Sequence, residues 1–139
     1  MDENITNTRK NAREVAFKLV FEYLFAGETN DISFKTLAEE YQLTSEQRYL
    51  KKVYNGVVEH YKELIEAINE SAKGFSFDRI YKVDKAILLV SLYEITYMDK
   101  IPCVVSINEA VELAKKYGTE KSSSFVNGIL NNLKKIKKK

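Results

Sequence analysis

The chain has 139 residues, of which 45% are hydrophobic and 30% are charged, a composition typical of one soluble globular domain. With only 5 glycines and 1 proline it has too few turn residues for a β-sandwich or barrel, so long helices joined by short loops are favoured. A single cysteine and a single histidine exclude a disulfide framework and argue against a cysteine- or histidine-rich metal site.

The net charge of +2 hides an uneven distribution of basic residues. Arg9, Lys10 and Arg13, which we call the basic front cluster, lie near the start, and five lysines within residues 134–139 close the chain. Residues 14–133 carry 14 cations and 18 acids, a net charge of −4. Basic ends on an acidic body suggest a polyanionic partner at one place and a different partner on the acidic surface.

The first element is predicted to be a long helix. Residues 1–7 are polar and are predicted to be disordered, with Thr8 as the N-cap of the helix and Gly27 as its stop. Its apolar stripe consists of Ala12, Val15, Ala16, Leu19, Val20, Tyr23 and Leu24. A second apolar line consists of Phe17, Phe21 and Phe25. The helix is therefore either buried on two sides or in contact with a partner.

The middle of the chain is predicted to hold a short helix and then a longer helical stretch. The short helix starts after Ser33, and Thr44 with Gln47 forms a predicted capping box for the next one. Helical spacing of apolar residues continues to Gly74, which fits one long helix or two nearly collinear helices. Residues 75–82 form a short aromatic connector.

The last third is predicted to contain three helices. Residues 83–98 are apolar on all sides, which is typical of a buried central helix. After a break at Pro102, Ser106 and Glu109 form a second predicted capping box, and Gly118 is the predicted C-cap. The last helix begins within residues 119–124. We therefore expect one all-α domain over residues 1–139, with six or seven helices and a disordered segment at 134–139.

Nothing in the sequence has the spacing of a catalytic or cofactor site. There is no glycine-rich phosphate loop, HExxH or CxxC motif. His60 is interpreted as an ordinary half-exposed histidine and Cys103 as a small buried hydrophobic residue. No catalytic residue, metal or cofactor is predicted, and an enzyme is disfavoured. The chain has no apolar run near the roughly 18 residues of a membrane span and no signal peptide, so a cytoplasmic protein with no membrane contact is the simplest interpretation.

The basic front cluster is the first positive sign of a binding site. On a helix Arg9 and Arg13 are neighbours four residues apart, with Lys10 alongside. At a helix N-terminus the dipole disfavours cations, and a bound anion would offset that cost. A basic, solvated helix end without a ligand is the competing interpretation. The terminal lysines suit either a solubilising tail or non-specific RNA affinity.

Several motifs together resemble the NusB family of bacterial transcription antitermination factors. Residues 9–14 (RKNARE) are similar to its arginine-rich start, and residues 83–88 (VDKAIL) followed by Tyr93-Glu94 are similar to its central helix. Its most recognisable stretch resembles Ile101-Pro102, residues 106–115 (SINEAVELAK), Gly118 and residues 125–130 (FVNGIL). The resemblance covers about residues 9–133, although residues 28–75 contribute little to it.

The resemblance implies a fold of two three-helix bundles that share the first helix, and no catalysis. It further implies binding to the single-stranded boxA element of ribosomal RNA leader transcripts as a heterodimer with NusE, a small-subunit ribosomal protein. The complex would join other Nus factors on RNA polymerase and suppress premature termination. Monomer and homodimer both stay open.

The resemblance also assigns residues by position. The basic front cluster falls on the RNA-binding segment, Phe125 falls where the family presents an aromatic near RNA, and Phe21 and Asp84 fall where it contacts NusE. Leu89 stands where the family usually has an arginine, which puts part of the NusE contact in question. Phe125 also begins the apolar stripe of the last helix, so core packing is the alternative for it.

Three cations paired with about three phosphates predict a salt slope near −2 for a single strand, and one stacked aromatic adds about 1–3 kcal/mol. A protein-interaction module whose basic ends are incidental is the main alternative. A second alternative is a domain of an RNA-modifying enzyme, which would need a separate catalytic chain.

Overall fold

The computed structural model describes residues 2–72, 74 and 76–137, with side chains described except at 2–7 and 136–137. Within this part of the chain there are seven α-helices, one 3₁₀ turn at Phe77–Arg79 and no β-strand, which confirms the all-α prediction. The helices are α1 Asp2–Ala26, α2 Asp31–Glu40, α3 Gln47–Glu59, α4 Tyr61–Ser71, α5 Lys82–Tyr97, α6 Cys103–Tyr117 and α7 Ser122–Lys137.

Helix α5 is the centre of the fold. Every residue from 84 to 95 is buried, as the absence of a polar side in its sequence predicts. It packs against α1, α3, α4, α6 and α7, whereas α1 packs against α2, α3 and α5. The middle stretch forms two helices, α3 and α4, which meet at His60.

Helix α1 buries its predicted stripe and leaves the core towards its C-terminal end. Ala12, Val15, Ala16, Leu19 and Val20 are fully buried. Along the second apolar line, exposure increases towards the C-terminal end: Phe17 is 3% exposed, Phe21 is half-buried and Phe25 is 62% exposed. The helix ends as predicted at Gly27, whose φ of +77° is readily adopted only by glycine.

The helix ends differ from the predictions in two places. Helix α1 begins at Asp2 and not at the predicted N-cap Thr8. The front cluster therefore starts roughly 10 Å along the helix from its first residue, beyond the reach of the unpaired amides and of the dipole. Likewise α7 continues through residues 134–137, while residues 1, 138 and 139 lie outside the described part of the chain.

Both predicted capping boxes are wrong. Helix α3 begins at Gln47, whose side chain donates back to the carbonyl of Leu43 at 2.9 Å. Helix α6 begins at Cys103 directly after Pro102, because the φ of −60° fixed by proline already suits a helix start. Ser106 is therefore inside the helix, and its hydroxyl bonds a buried carboxylate instead of the backbone. Gly118 is the C-cap, as predicted.

Candidate nucleic-acid and partner interface

Arg9 lies on the surface of α1, close to the start of α3. Its Nε is 2.5 Å from Oε1 of Glu46, and its guanidinium carbon lies 4.3 Å from the centre of the Tyr49 ring. The side chain remains 42% exposed. Glu46 and Tyr49 therefore orient the guanidinium while one side of it stays open to a ligand.

Lys10 is the most exposed member of the basic front cluster. Its side chain is 54% exposed, and its Nζ lies 3.6 Å from Oε2 of Glu109 on α6. Glu109, predicted as a capping residue, thus faces the front cluster across the α1–α6 boundary. A shallow groove of about 380 Å³ follows that boundary, and its rim also includes Lys115 and Lys116.

Arg13 is not on the surface. Only 3% of the residue is exposed, and its Nε and Nη2 donate to the two carboxylate oxygens of Glu94 at 2.7 and 3.1 Å. Burial lowers the pKa of Arg13, but the Glu94 hydrogen bond and nearby negative charge outweigh it and raise the pKa above its ordinary value. Glu94 also accepts hydrogen bonds from the hydroxyls of Tyr49 and Ser106. The structure corrects the prediction that Arg13 is an accessible member of the front cluster. Arg13 lies in the core, where its ion pair with Glu94 links α1 to α5 and the other hydrogen bonds of Glu94 add α3 and α6.

Phe125 and Asp84 lie in one pocket, although the resemblance gives them different ligands. The pocket has a volume of about 170 Å³ and lies where α5 and α7 begin. Its rim includes Tyr81, which is 52% exposed, and the cations Arg79 and Lys121. Phe125 is half-buried, so it packs against the core and also reaches the pocket.

Asp84 is 5% exposed, and its Oδ1 has no hydrogen-bond partner among the described residues. Burial raises the pKa of this carboxyl, and a hydrogen bond with Ser122 partly offsets the increase. A buried acceptor without a partner is costly, so a donor that entered this pocket would be stabilised.

Phe17, Phe21 and Phe25 form the second apolar line of α1, which we call the aromatic row. The ring centre of Phe21 is 5.1 Å from that of Phe25 in an edge-to-face arrangement and 6.3 Å from that of Phe17. Leu89, by contrast, is fully buried in α5. The position where the family usually has an arginine is therefore in the core of this chain and not on an exposed face of α5.

The pairing partners of the front cluster were not predicted from the sequence. Glu94 carries a detectable signal, because a carboxylate in an otherwise apolar helix needs a cationic partner when it is buried. Glu46 and Tyr49 carry none, since their role depends on how α3 packs against α1. The pocket beside Phe125 adds three candidates that no sequence pattern indicates, because they lie together only in the folded chain: Tyr81, Arg79 and Lys121.

The described residues include no group of three His, Cys, Asp or Glu side chains placed to hold a metal ion. None of the helices described is both long and apolar enough to cross a membrane. His60 is stacked on Tyr97, with ring centres 4.3 Å apart, and its Nδ1 is 2.7 Å from Oε1 of Glu63. Its side chain is 30% exposed, as expected for a half-exposed histidine.

The fold and these surfaces define a helical binding domain with exposed cations on α1 and an aromatic pocket at the start of α5 and α7. The NusB family model matches residues 10–135, and this chain belongs to the NusB family. It is a non-enzymatic family of transcription antitermination factors.

Individual relatives agree with this assignment. The transcription antitermination protein NusB of Acetivibrio thermocellus is 40% identical over 130 residues, which cover 93% of this chain and 90% of the relative. The T. maritima NusB structure aligns with a TM-score of 0.81 at 30% identity, covering 91% of this chain and 90% of that one. A chain in a crystal structure of the antitermination factors NusB and NusE with dsRNA aligns with a TM-score of 0.83 at 29% identity, covering 94% and 98%.

Proposed function

We propose that this chain is an antitermination adaptor that binds the boxA element of nascent ribosomal RNA transcripts together with NusE. The observation that carries the proposal is the pair of exposed cations, Arg9 and Lys10, on the surface of α1. Membership of the NusB family and the similarity to a chain from a NusB–NusE–dsRNA complex support it. The adaptor would act in the cytoplasm, joining RNA polymerase with other Nus factors and suppressing premature termination.

The RNA surface we propose consists of two parts. Arg9 and Lys10 contact backbone phosphates, whereas Phe125, together with the exposed Tyr81, offers stacking surface to unpaired bases. Arg13 is left out of this surface because it is only 3% exposed and its Nε and Nη2 already donate to Glu94 in the core.

The partner surface we propose contains Phe21 and Asp84. The aromatic row on α1 supplies apolar area, and the carboxyl of Asp84 supplies an acceptor for a donor from NusE. Homodimer formation would be a competing use of the aromatic row. Sedimentation velocity over a range of concentrations, with and without NusE, measures which of the two associations forms.

The test is a fluorescence anisotropy titration of boxA RNA and a scrambled RNA, with and without NusE, at two salt concentrations. We expect tighter binding of boxA, and a loss of RNA affinity without a loss of NusE affinity in an Arg9→Ala/Lys10→Ala variant. Phe21→Ala should show the opposite pattern. Equal binding of boxA and scrambled RNA in both conditions would contradict the proposal.

A protein-interaction module without specific RNA binding is the second candidate. The observation that favours it is that each cation of the front cluster already faces a carboxylate: Glu46, Glu109 and Glu94 respectively. In that case the Arg9→Ala/Lys10→Ala variant would bind RNA as the unmodified chain does, while NusE binding would persist.

A further inference from the structure

A second groove lies at the end of the molecule opposite the front cluster. Its volume is about 490 Å³, and it is bounded by the C-terminal end of α1, α4, the 3₁₀ turn and the start of α5. Two lysines, Lys82 and Lys85, line it together with Tyr61 and Asp78. We call it the lysine groove.

Lys85 is a buried cation without a carboxylate partner among the described residues. It is 7% exposed, and its Nζ makes one long hydrogen bond, 3.4 Å, to the backbone carbonyl of Asp78. The same Nζ lies 4.8 Å from the centre of the Phe77 ring. Burial lowers the pKa of Lys85 and the charge of Lys82 lowers it further, while the charge of Asp78 opposes both in part. Charged groups this buried are normally paired, so the free chain bears a cost that a bound anion would relieve.

Lys82 connects the lysine groove to the aromatic row on α1. It is exposed, and its Nζ lies 5.0 Å over the ring of Phe25. Among the described lining residues Asp78 is the one acid, so the two lysines leave the groove with net positive charge. Tyr61 also lines the groove, and a tyrosine hydroxyl is a neutral group that can donate a hydrogen bond.

We propose that the lysine groove binds an acidic side chain of the protein partner that docks on the aromatic row. The proposal rests on the proposed function for the existence of that partner. A protein carboxylate is favoured over an RNA phosphate because Nζ of Lys82 lies 5.0 Å from the exposed ring of Phe25, the end of the aromatic row on which the partner docks. Tyr81 of the proposed RNA surface directly precedes Lys82, so RNA is tested as a competing ligand below.

The first experiment tests the groove without NusE. Uniformly ¹⁵N-labelled chain is titrated with an acetylated hexaglutamate peptide and with its hexaglutamine counterpart, and backbone amide shifts are followed by NMR. We expect shifts centred on the residues of the groove with the glutamate peptide alone, and at least a tenfold weaker effect in a Lys82→Met/Lys85→Met variant. Methionine keeps the apolar stem of each lysine, and Lys82→Met alone covers the case in which the double variant does not fold.

The control is Lys62→Met, which removes an exposed lysine of α4 that is not part of the groove. If the control loses as much affinity as the double variant, or if neither peptide shifts the groove residues, the groove proposal is wrong. Larger shifts with a short single-stranded RNA than with hexaglutamate would also overturn it, because the groove would then be a phosphate site.

The second experiment measures NusE affinity by isothermal titration calorimetry for the same variants. We expect the double variant to lose at least tenfold in affinity while Lys62→Met stays within twofold of the unmodified chain. If the unmodified chain does not bind NusE at all, the proposed function fails, whereas the peptide titration still decides the groove.

Discussion

The three cations of the basic front cluster lie within five residues of each other but have three different environments. Arg9 is half exposed against Glu46, Lys10 is exposed near Glu109, and Arg13 is buried against Glu94. The side chain of residue 13 reaches the interior because α1 packs against α5 there. The same residue type one helical turn apart therefore stays accessible in one case and is part of the buried core in the other.

Arg13→Met is expected to lower the free energy of unfolding by about 3–5 kcal/mol, because it leaves Glu94 buried without its cation. Arg9→Met is the matched control, with an expected loss of about 0–1 kcal/mol for an exposed ion pair. Urea unfolding monitored by circular dichroism measures both. Equal losses would contradict the structural assignment of the two arginines.

Glu46→Gln is expected to increase RNA affinity by about 1.5- to 5-fold at low salt, because an exposed ion pair of about 0.2–1 kcal/mol no longer competes with the phosphate for Arg9. Glu66→Gln on α4 changes the net charge by the same amount at an exposed residue that does not pair with Arg9. Anisotropy titrations of the two variants separate local competition from net charge. An equal gain in both would leave no local role for Glu46.

At the scale of elements, the contact between α3 and α5 depends on one glycine. A Cβ added to Gly56 would overlap the Tyr93 ring, whereas one added to Gly128 on α7 has no atom within 4 Å. The Tyr93 ring lies against the stacked pair of Tyr97 and His60, with ring centres 5.1 and 6.3 Å away, which restricts its movement away from Gly56.

Gly56→Ala is therefore expected to destabilise the protein by about 1–3 kcal/mol through overpacking. Gly128→Ala should stabilise it by about 0.5–1 kcal/mol, because alanine is the better helix former at an open site. Thermal unfolding of both variants gives the comparison. A stabilising effect at both positions would show that α3 can move away from α5 at little cost.

Glu14 links α1 to α2 and α6. Burial raises the pKa of its carboxyl, but hydrogen bonds from Tyr117, Tyr41 and Lys116 outweigh burial and hold the pKa below its ordinary value of 4.5. The folded state thus binds a proton less readily than the unfolded state. The stability from Glu14 is fully present above that ordinary value and is lost as the pH falls through the lower folded pKa.

Glu14→Gln should therefore lower the free energy of unfolding at pH 7, and the difference from the unmodified chain should shrink below pH 4.5. Urea unfolding at a series of pH values measures this difference. Glu66→Gln, an exposed residue of α4, serves as the control and should differ little from the unmodified chain at any pH. A difference for Glu14→Gln that stays constant with pH would contradict the role of its ionised form.

At the scale of the whole molecule, the folded chain offers fewer cations to RNA than its sequence suggests. Two accessible cations in place of three predict a salt slope near −1.4 for a single strand instead of about −2. The slope of log affinity against log salt for the chain without NusE measures this directly. A slope near −2 that Arg13→Met reduces would mean that Arg13 leaves the core when RNA binds.

Much of the fold follows from the sequence because helical periodicity is a local property. The buried α5, the stop of α1 at Gly27 and the break before α6 all come from residues close together in the chain. The helix starts were less predictable. Helix α6 begins directly after Pro102, and the hydroxyl of Ser106 bonds Glu94 instead of capping the helix. The spacing of a capping box does not show that a buried carboxylate competes for the serine hydroxyl.

The sequence by itself therefore determined the helical class, the central helix, the family resemblance and the candidate residues. Only the tertiary structure decided which candidates reach the surface. The carboxylates that pair with Arg9 and Arg13 lie 37 and 81 residues away in the chain, so their effect depends on how α3 and α5 pack against α1. Burial and ion pairing are properties of that packing, and for this reason one arginine stays exposed while its neighbour is part of the core.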